Sequence, residues 1–73
     1  MPYDYSELCG DIIKKYGARY RFASAIGLSE RSLSLKLNGK VDWKQSEIIK
    51  ACNLLGISSQ DVAKYFFSLK VQD

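Results

Sequence analysis

Residues 22–40 read FASAIGLSERSLSLKLNGK, and the order of small, flexible and bulky side chains in this stretch decides the fold. Ala23 stands where one short helix passes under another, so that anything larger than a methyl would push the two axes apart. Gly27 follows four residues later and ends the first of these helices, because the residue just past a helix end often turns left-handed and only glycine does so without steric cost. Leu28 closes the turn against the core. Ser29 is a suitable N-cap for the next helix, its hydroxyl accepting from an otherwise unpartnered N–H near Ser32, and Glu30 in the first turn suits the helix dipole. Leu33 and Leu37, four apart, form the inward stripe, and Asn38-Gly39 is a stop signal. Together these residues describe a helix-turn-helix.

Working outward, Tyr5, Leu8, Cys9, Ile12, Ile13 and Tyr16 recur at helical spacing and predict a first helix near 5–16, capped by Asp4 with Glu7 and ended by Gly17. Gly10 inside it costs about 1 kcal/mol relative to alanine, which a close helix crossing would explain. The second helix, 19–26, buries Phe22, Ala23 and Ile26, and the third covers 30–38. Ile48, Ile49, Ala51, Cys52 and Leu55 define a fourth near 45–55, with Asp42 or Lys44 at its cap and Gly56 at its end. Ser58 or Ser59 caps a fifth, near 59–67, whose apolar face is Val62, Tyr65, Phe66 and Leu69. Met1 to Tyr3 read as an untethered start and Ser68 to Asp73 as an extended or frayed tail. The expectation is a compact five-helix, all-α fold in one domain spanning residues 1–73.

A chain of 73 residues buries only about 60% of the surface its unfolded state exposes, so modest stability is expected. No apolar run approaches the roughly 20 residues that cross a bilayer and no basic-then-apolar leader opens the chain, so a cytoplasmic protein with no membrane partner is expected. Cys9 and Cys52 fall on apolar helical faces and read as reduced core thiols. With no histidine in the sequence and no paired-cysteine spacing, neither a metal site nor any other cofactor is expected. The same lack of histidine, and of an evident carboxylate pair, argues against an enzyme; no catalytic residue is assigned.

Net charge is +3, but it is segregated: from Lys14 to Lys44 eight basic residues face Glu30 and Asp42 alone, leaving +6, while the remainder is −3. The cationic region coincides with the helix-turn-helix, the footprint of a phosphate-binding surface. With Leu33 and Leu37 inward, Glu30, Arg31, Ser34, Leu35 and Asn38 point outward. Arg31 is the best base reader, since a guanidinium makes two hydrogen bonds to guanine O6 and N7; Leu35 suits a thymine methyl or, equally, a partner protein. Glu30 accepts from a cytosine amino group or, by preference, only stabilises the helix start. Ser29, Ser32 and Ser34 are short enough to let the helix approach DNA. Arg19, Tyr20 and Arg21 sit at the positive end of the second helix, where a phosphate would be attracted, and Lys40 and Lys44 flank a connection suited to the backbone. Trp43 is read as a lid on the core rather than a wedge between bases.

The runs YDYSELCGDIIKKYG, RFASAIGLSERSLSLKLNGKVDWKQSEIIKACNLLGI and AKYFF resemble the small Cro/repressor-like helix-turn-helix proteins of phages and prophages, within them a group of short Gram-positive phage proteins. The resemblance covers nearly the whole chain, and its most specific pieces are Ile26-Gly27-Leu28-Ser29, SLSLKLNGK and LLGI. It implies a lambda-repressor-like domain that regulates transcription in the bacterial cytoplasm as a homodimer on two-fold symmetric double-stranded operator DNA. Base contacts would come from Ser29, Glu30, Arg31, Ser34 and Leu35, and phosphate contacts from Arg19, Tyr20, Asn38, Lys40 and Lys44. Two positions depart from the wider pattern: Arg19 stands where a phosphate-binding glutamine is common, and Lys36 where an apolar residue is common. A competing expectation is a protein-interaction module, antirepressor or antitoxin-like, that uses the same fold with Tyr65-Phe66-Phe67 as its contact surface.

Overall fold

The computed structural model describes residues 3–71; Met1, Pro2, Gln72 and Asp73, parts of the start and tail read from the sequence, lie outside them. Five helices follow in order: α1 (Ser6–Tyr16), α2 (Arg19–Ile26), α3 (Glu30–Leu37), α4 (Gln45–Leu55) and α5 (Val62–Phe66). Among the described residues there is no strand, only an isolated antiparallel bridge between Tyr3 and Leu69. The all-α, five-helix expectation holds.

The core is built from the inward stripes of all five helices. Leu8 and Ile12 of α1, Phe22 of α2, Leu33 of α3, Leu55 of α4 and Phe66 of α5 are fully buried, each worth roughly 1.5–3 kcal/mol of apolar burial. Ala23, 1% exposed, lets α2 pass close beneath its neighbours. Trp43 packs edge-on against Phe66, ring centroids 5.2 Å apart, and lies against Tyr5, so it is the lid the sequence suggested. Lys15 ties α1 to α4: its ammonium pairs with Asp11 at 3.2 Å and donates to the carbonyl of Leu55, a cation at a helix C-terminus.

Several expectations need correction. The fifth helix begins at Val62, not at 59: residues 58–61 are held in a turn, with the Asp61 N–H donating to the Ser58 carbonyl at 2.9 Å and the Ser58 hydroxyl to the Asp61 carboxylate at 3.3 Å. The serines therefore do not cap α5, and Leu69, outside it, is exposed. Asp4 accepts from the Ser6 hydroxyl and, at 2.9 Å, from the Ser6 N–H, which in that order hold its carboxyl below the usual range, but the N-cap position is Tyr5 and Glu7 closes no capping box. Ile13 and Ile49 lie at the edge of their stripes and are about half exposed. Gly10 marks no close crossing, since nothing lies within 4 Å of where its Cβ would be. Tyr3 is tethered, because besides the bridge to Leu69 the Asp4 N–H donates to the Ser68 carbonyl at 2.7 Å. Cys52 is buried, which pushes its thiol pKa up; Cys9 is half-buried, and both are free thiols.

Candidate nucleic-acid interface

The surface in question is α2, the turn after it, α3 and the connection to α4. Gly27 takes φ +83°, and the turn closes as the N–H groups of Gly27 and Leu28 both donate to the Ala23 carbonyl at 2.9 Å. Ser29 then caps α3, its hydroxyl accepting from the Ser32 N–H at 3.0 Å, as its place in the sequence implies. These local bonds fix where α3 begins and thus which way its side chains face. Leu33 and Leu37 are buried; Ser29, Glu30, Arg31 and Asn38 are exposed; Ser34 and Leu35 are half-buried. Leu35 is therefore less available than an outward position would make it. Asn38 reaches back to the Ser34 hydroxyl at 3.5 Å.

Flanking α3, Arg19, Tyr20, Lys40 and Lys44 are all exposed, Tyr20 by 54%. The first N–H groups of α2 receive no side-chain cap from Ala18, so they and the cations beside them are available to an anion. Arg21 lies over the Tyr20 ring, 5.8 Å from its centroid, and the Arg19 guanidinium leans on the Cys9 sulfur at 3.7 Å.

The connection from α3 to α4 holds the residue that sequence reasoning misplaced. Lys36, counted there among the cations of the phosphate-binding region, is only 5% exposed. Its ammonium pairs with Glu47 of α4 at 2.9 Å and donates to the Asp42 carbonyl at 2.9 Å. Glu47 also accepts from the Lys44 N–H at 2.8 Å, so Lys44, not Asp42, is the N-cap of α4. Burial alone would raise the Glu47 pKa, but the bonds from the Lys44 N–H and from Lys36, with the charges of both lysines, hold it below the usual carboxylate range. A signal existed in the sequence: Leu33, Lys36 and Leu37 share the i, i+3, i+4 stripe, and a lysine on an inward stripe requires an acid to meet it.

A profile of the family described as "Protein of unknown function (DUF739)" matches residues 1–69. The chain belongs to the DUF739 family. Among solved structures, this DUF739 chain is similar to the solution structure of the modulator of repression (MOR) of the temperate bacteriophage TP901-1 from Lactococcus lactis, with 57% identity, 99% of this chain and 97% of that chain covered, and a TM-score of 0.80. No curated protein matches. Family and structural neighbour together make the DUF739 chain a small phage regulatory protein. Among its described residues no helix is long and apolar enough to cross a membrane.

Proposed function

We propose that the protein binds double-stranded operator DNA as a transcriptional regulator of a phage or prophage, with α3 in the major groove, and that it modulates repression in that way. The observation carrying this reading is the exposure of Arg31 on α3 and of Asn38 at its C-cap, between the exposed cations Arg19, Lys40 and Lys44, with the other face of the helix locked into the core. The mechanism is occupancy, without covalent chemistry or a cofactor. Lysines and arginines displace counterions from the phosphates, and Ser29, Glu30, Arg31, Ser34 and Leu35 face the base edges. A homodimer on a two-fold symmetric site supplies the affinity that one short helix lacks.

The test is selection from a random duplex library at two salt concentrations, followed by binding measurements on variants. An inverted repeat with half-sites about one helical turn apart is expected. On the selected site Arg31→Ala costs about 1–3 kcal/mol and relaxes specificity at one position, whereas Lys40→Ala weakens all sequences alike and flattens the salt dependence. Equal losses on selected and random DNA for Arg31→Ala would remove it from the reading set.

A specific observation supports a second reading, contact with another protein of the repression circuit in the manner of an antirepressor or antitoxin. Phe67 is 51% exposed and borders an apolar groove of about 620 Å³ between α4 and α5, lined also by Trp43, Ile48, Ile49, Cys52 and Val62. Binding to a protein that is insensitive to salt and lost in Phe67→Ser, with no sequence recovered from the DNA library, would favour this reading.

A further inference from the structure

We infer that Lys36, although it faces away from solvent, is a positioning residue that holds Lys40 and Lys44 where phosphates are met; this rests on the DNA-binding reading above. The segment 38–44 has no helix or strand of its own, and its course is set by a few bonds. At its start, the Lys40 and Val41 N–H groups both donate to the Leu35 carbonyl, at 2.9 and 3.3 Å. At its end, the Lys44 N–H donates to the Glu47 carboxylate at 2.8 Å. Between them the Asp42 carbonyl accepts from the Lys36 ammonium, and that same ammonium pairs with Glu47, so one buried cation joins α3, the middle of the connection and the cap of α4.

The chemistry explains why a lysine stands there. Burying a charged pair carries a desolvation cost that a well-packed apolar pair avoids, so cohesion alone favours a leucine or methionine at this position. An apolar side chain, however, has no donor for the Asp42 carbonyl, whereas an ammonium has three N–H donors and serves that carbonyl and the Glu47 carboxylate together. The exposed lysines at 40 and 44 lie two residues either side of the fixed carbonyl. Fixing Asp42 thus limits the travel of both.

The test uses the full chain carrying Lys36→Met with Glu47→Gln. Methionine keeps the aliphatic bulk, and the glutamine oxygen still accepts from the Lys44 N–H, so no unpaired charge is buried and the cap survives. Two quantities are read: amide hydrogen exchange of Lys40, Val41 and Lys44 in the free protein, and the salt dependence of binding to a mixed-sequence duplex from about 50 to about 200 mM salt. Relative to wild type, the expected result is exchange about tenfold faster in the connection and unchanged in the turn around Gly27, together with a salt slope shallower by about 1–2, the share of one or two phosphate contacts. Lys36→Arg, which keeps a charged donor for both the Asp42 carbonyl and the Glu47 carboxylate, keeps the wild-type slope. A merely structural role would lower the melting temperature and leave the slope unchanged; an unchanged slope, or unchanged exchange in the connection, overturns the inference. Wild-type protein that shows no salt-dependent DNA binding overturns the DNA reading and this inference with it, whereas wild-type binding with an unaltered variant slope overturns the inference alone.

Discussion

Helix α3 is held at its two ends by different means. At its N-terminal end the turn after α2 is closed by backbone bonds to the Ala23 carbonyl, a left-handed glycine and the Ser29 hydroxyl, all within a few residues of sequence. At its C-terminal end a left-handed Gly39 and backbone bonds from Lys40 and Val41 to the Leu35 carbonyl begin the connection, and beyond them the segment is fixed by a largely buried ion pair between Lys36 and Glu47, eleven positions apart in the chain. The first joint is a matter of local geometry, and the second depends on a charge meeting its partner across two helices. The fold is therefore more vulnerable at the second: a local joint loses its bonds one at a time, whereas removing one member of a largely buried pair leaves the other uncompensated.

The largest effect is therefore expected at the second joint. Lys36→Ala leaves the Glu47 carboxylate, whose side chain is 15% exposed, without its cation, and should cost about 3–5 kcal/mol in urea unfolding. A cost under about 1 kcal/mol would mean that water already screens the pair and that the two joints are alike. Acid sharpens the same contrast. Because the folded-state pKa of Glu47 lies below its ordinary value, its contribution to stability is fully present above the ordinary glutamate range near about 4.3 and is lost as pH falls through the lower folded value. The stability gap between wild type and Glu47→Gln should accordingly be widest near neutrality and close below that range, which unfolding midpoints at a series of pH values would reveal.

The two joints also differ in how much of them could be read beforehand. Ala23, Gly27, Ser29, Leu33 and Leu37 each have a role fixed by near neighbours, so the turn, the cap and the inward stripe follow from spacing alone. The ion pair does not, because whether Lys36 is a surface cation or a buried one depends on where α4 lies. The inward register of position 36, and the apolar residue common there in the proteins the sequence resembles, were the hints of it. The late start of α5 has a similar origin: Ser58 and Ser59 are good caps on paper, yet Asp61 and Ser58 close a turn between themselves first. In the candidate interface, the exposure of Arg31, Arg19, Lys40 and Lys44 was legible from polarity and periodicity. The half-burial of Leu35 and Ser34 was not, because it depends on how deeply an eight-residue helix sits in the fold.

Glycine substitutions test what the joints have in common. At Gly27 a Cβ would meet only the Lys50 ammonium, at the ordinary contact distance of 3.7 Å, and at Gly39 it would meet nothing within 4 Å, so the cost at both is conformational. With φ at +83° and +73°, Gly27→Ala and Gly39→Ala should each destabilise by about 1–2 kcal/mol, equally within error. A much larger loss at Gly39 would mean that the second joint, too, is set mainly by its backbone turn, and that the two joints do not differ in kind.

The smallest effect is expected at Ser29, where one cap bond is at stake. Ser29→Ala should cost about 1 kcal/mol, the usual loss for an N-cap hydroxyl, and Ser29→Asp should restore it, since a carboxylate accepts from the Ser32 N–H and suits the positive end of α3. On DNA the order of these two variants reverses under the proposed function. Ser29 is exposed at the end of α3 that would enter the groove, so an aspartate there adds a negative charge facing the duplex and should weaken binding more than alanine does, although it folds more stably. Thermal melts and duplex titrations on the same two proteins separate the roles. If the aspartate variant is both the more stable and the tighter binder, Ser29 caps the helix and the DNA lies elsewhere; if it is more stable and binds more weakly, the end of α3 fixed by the local joint is the end that meets the bases.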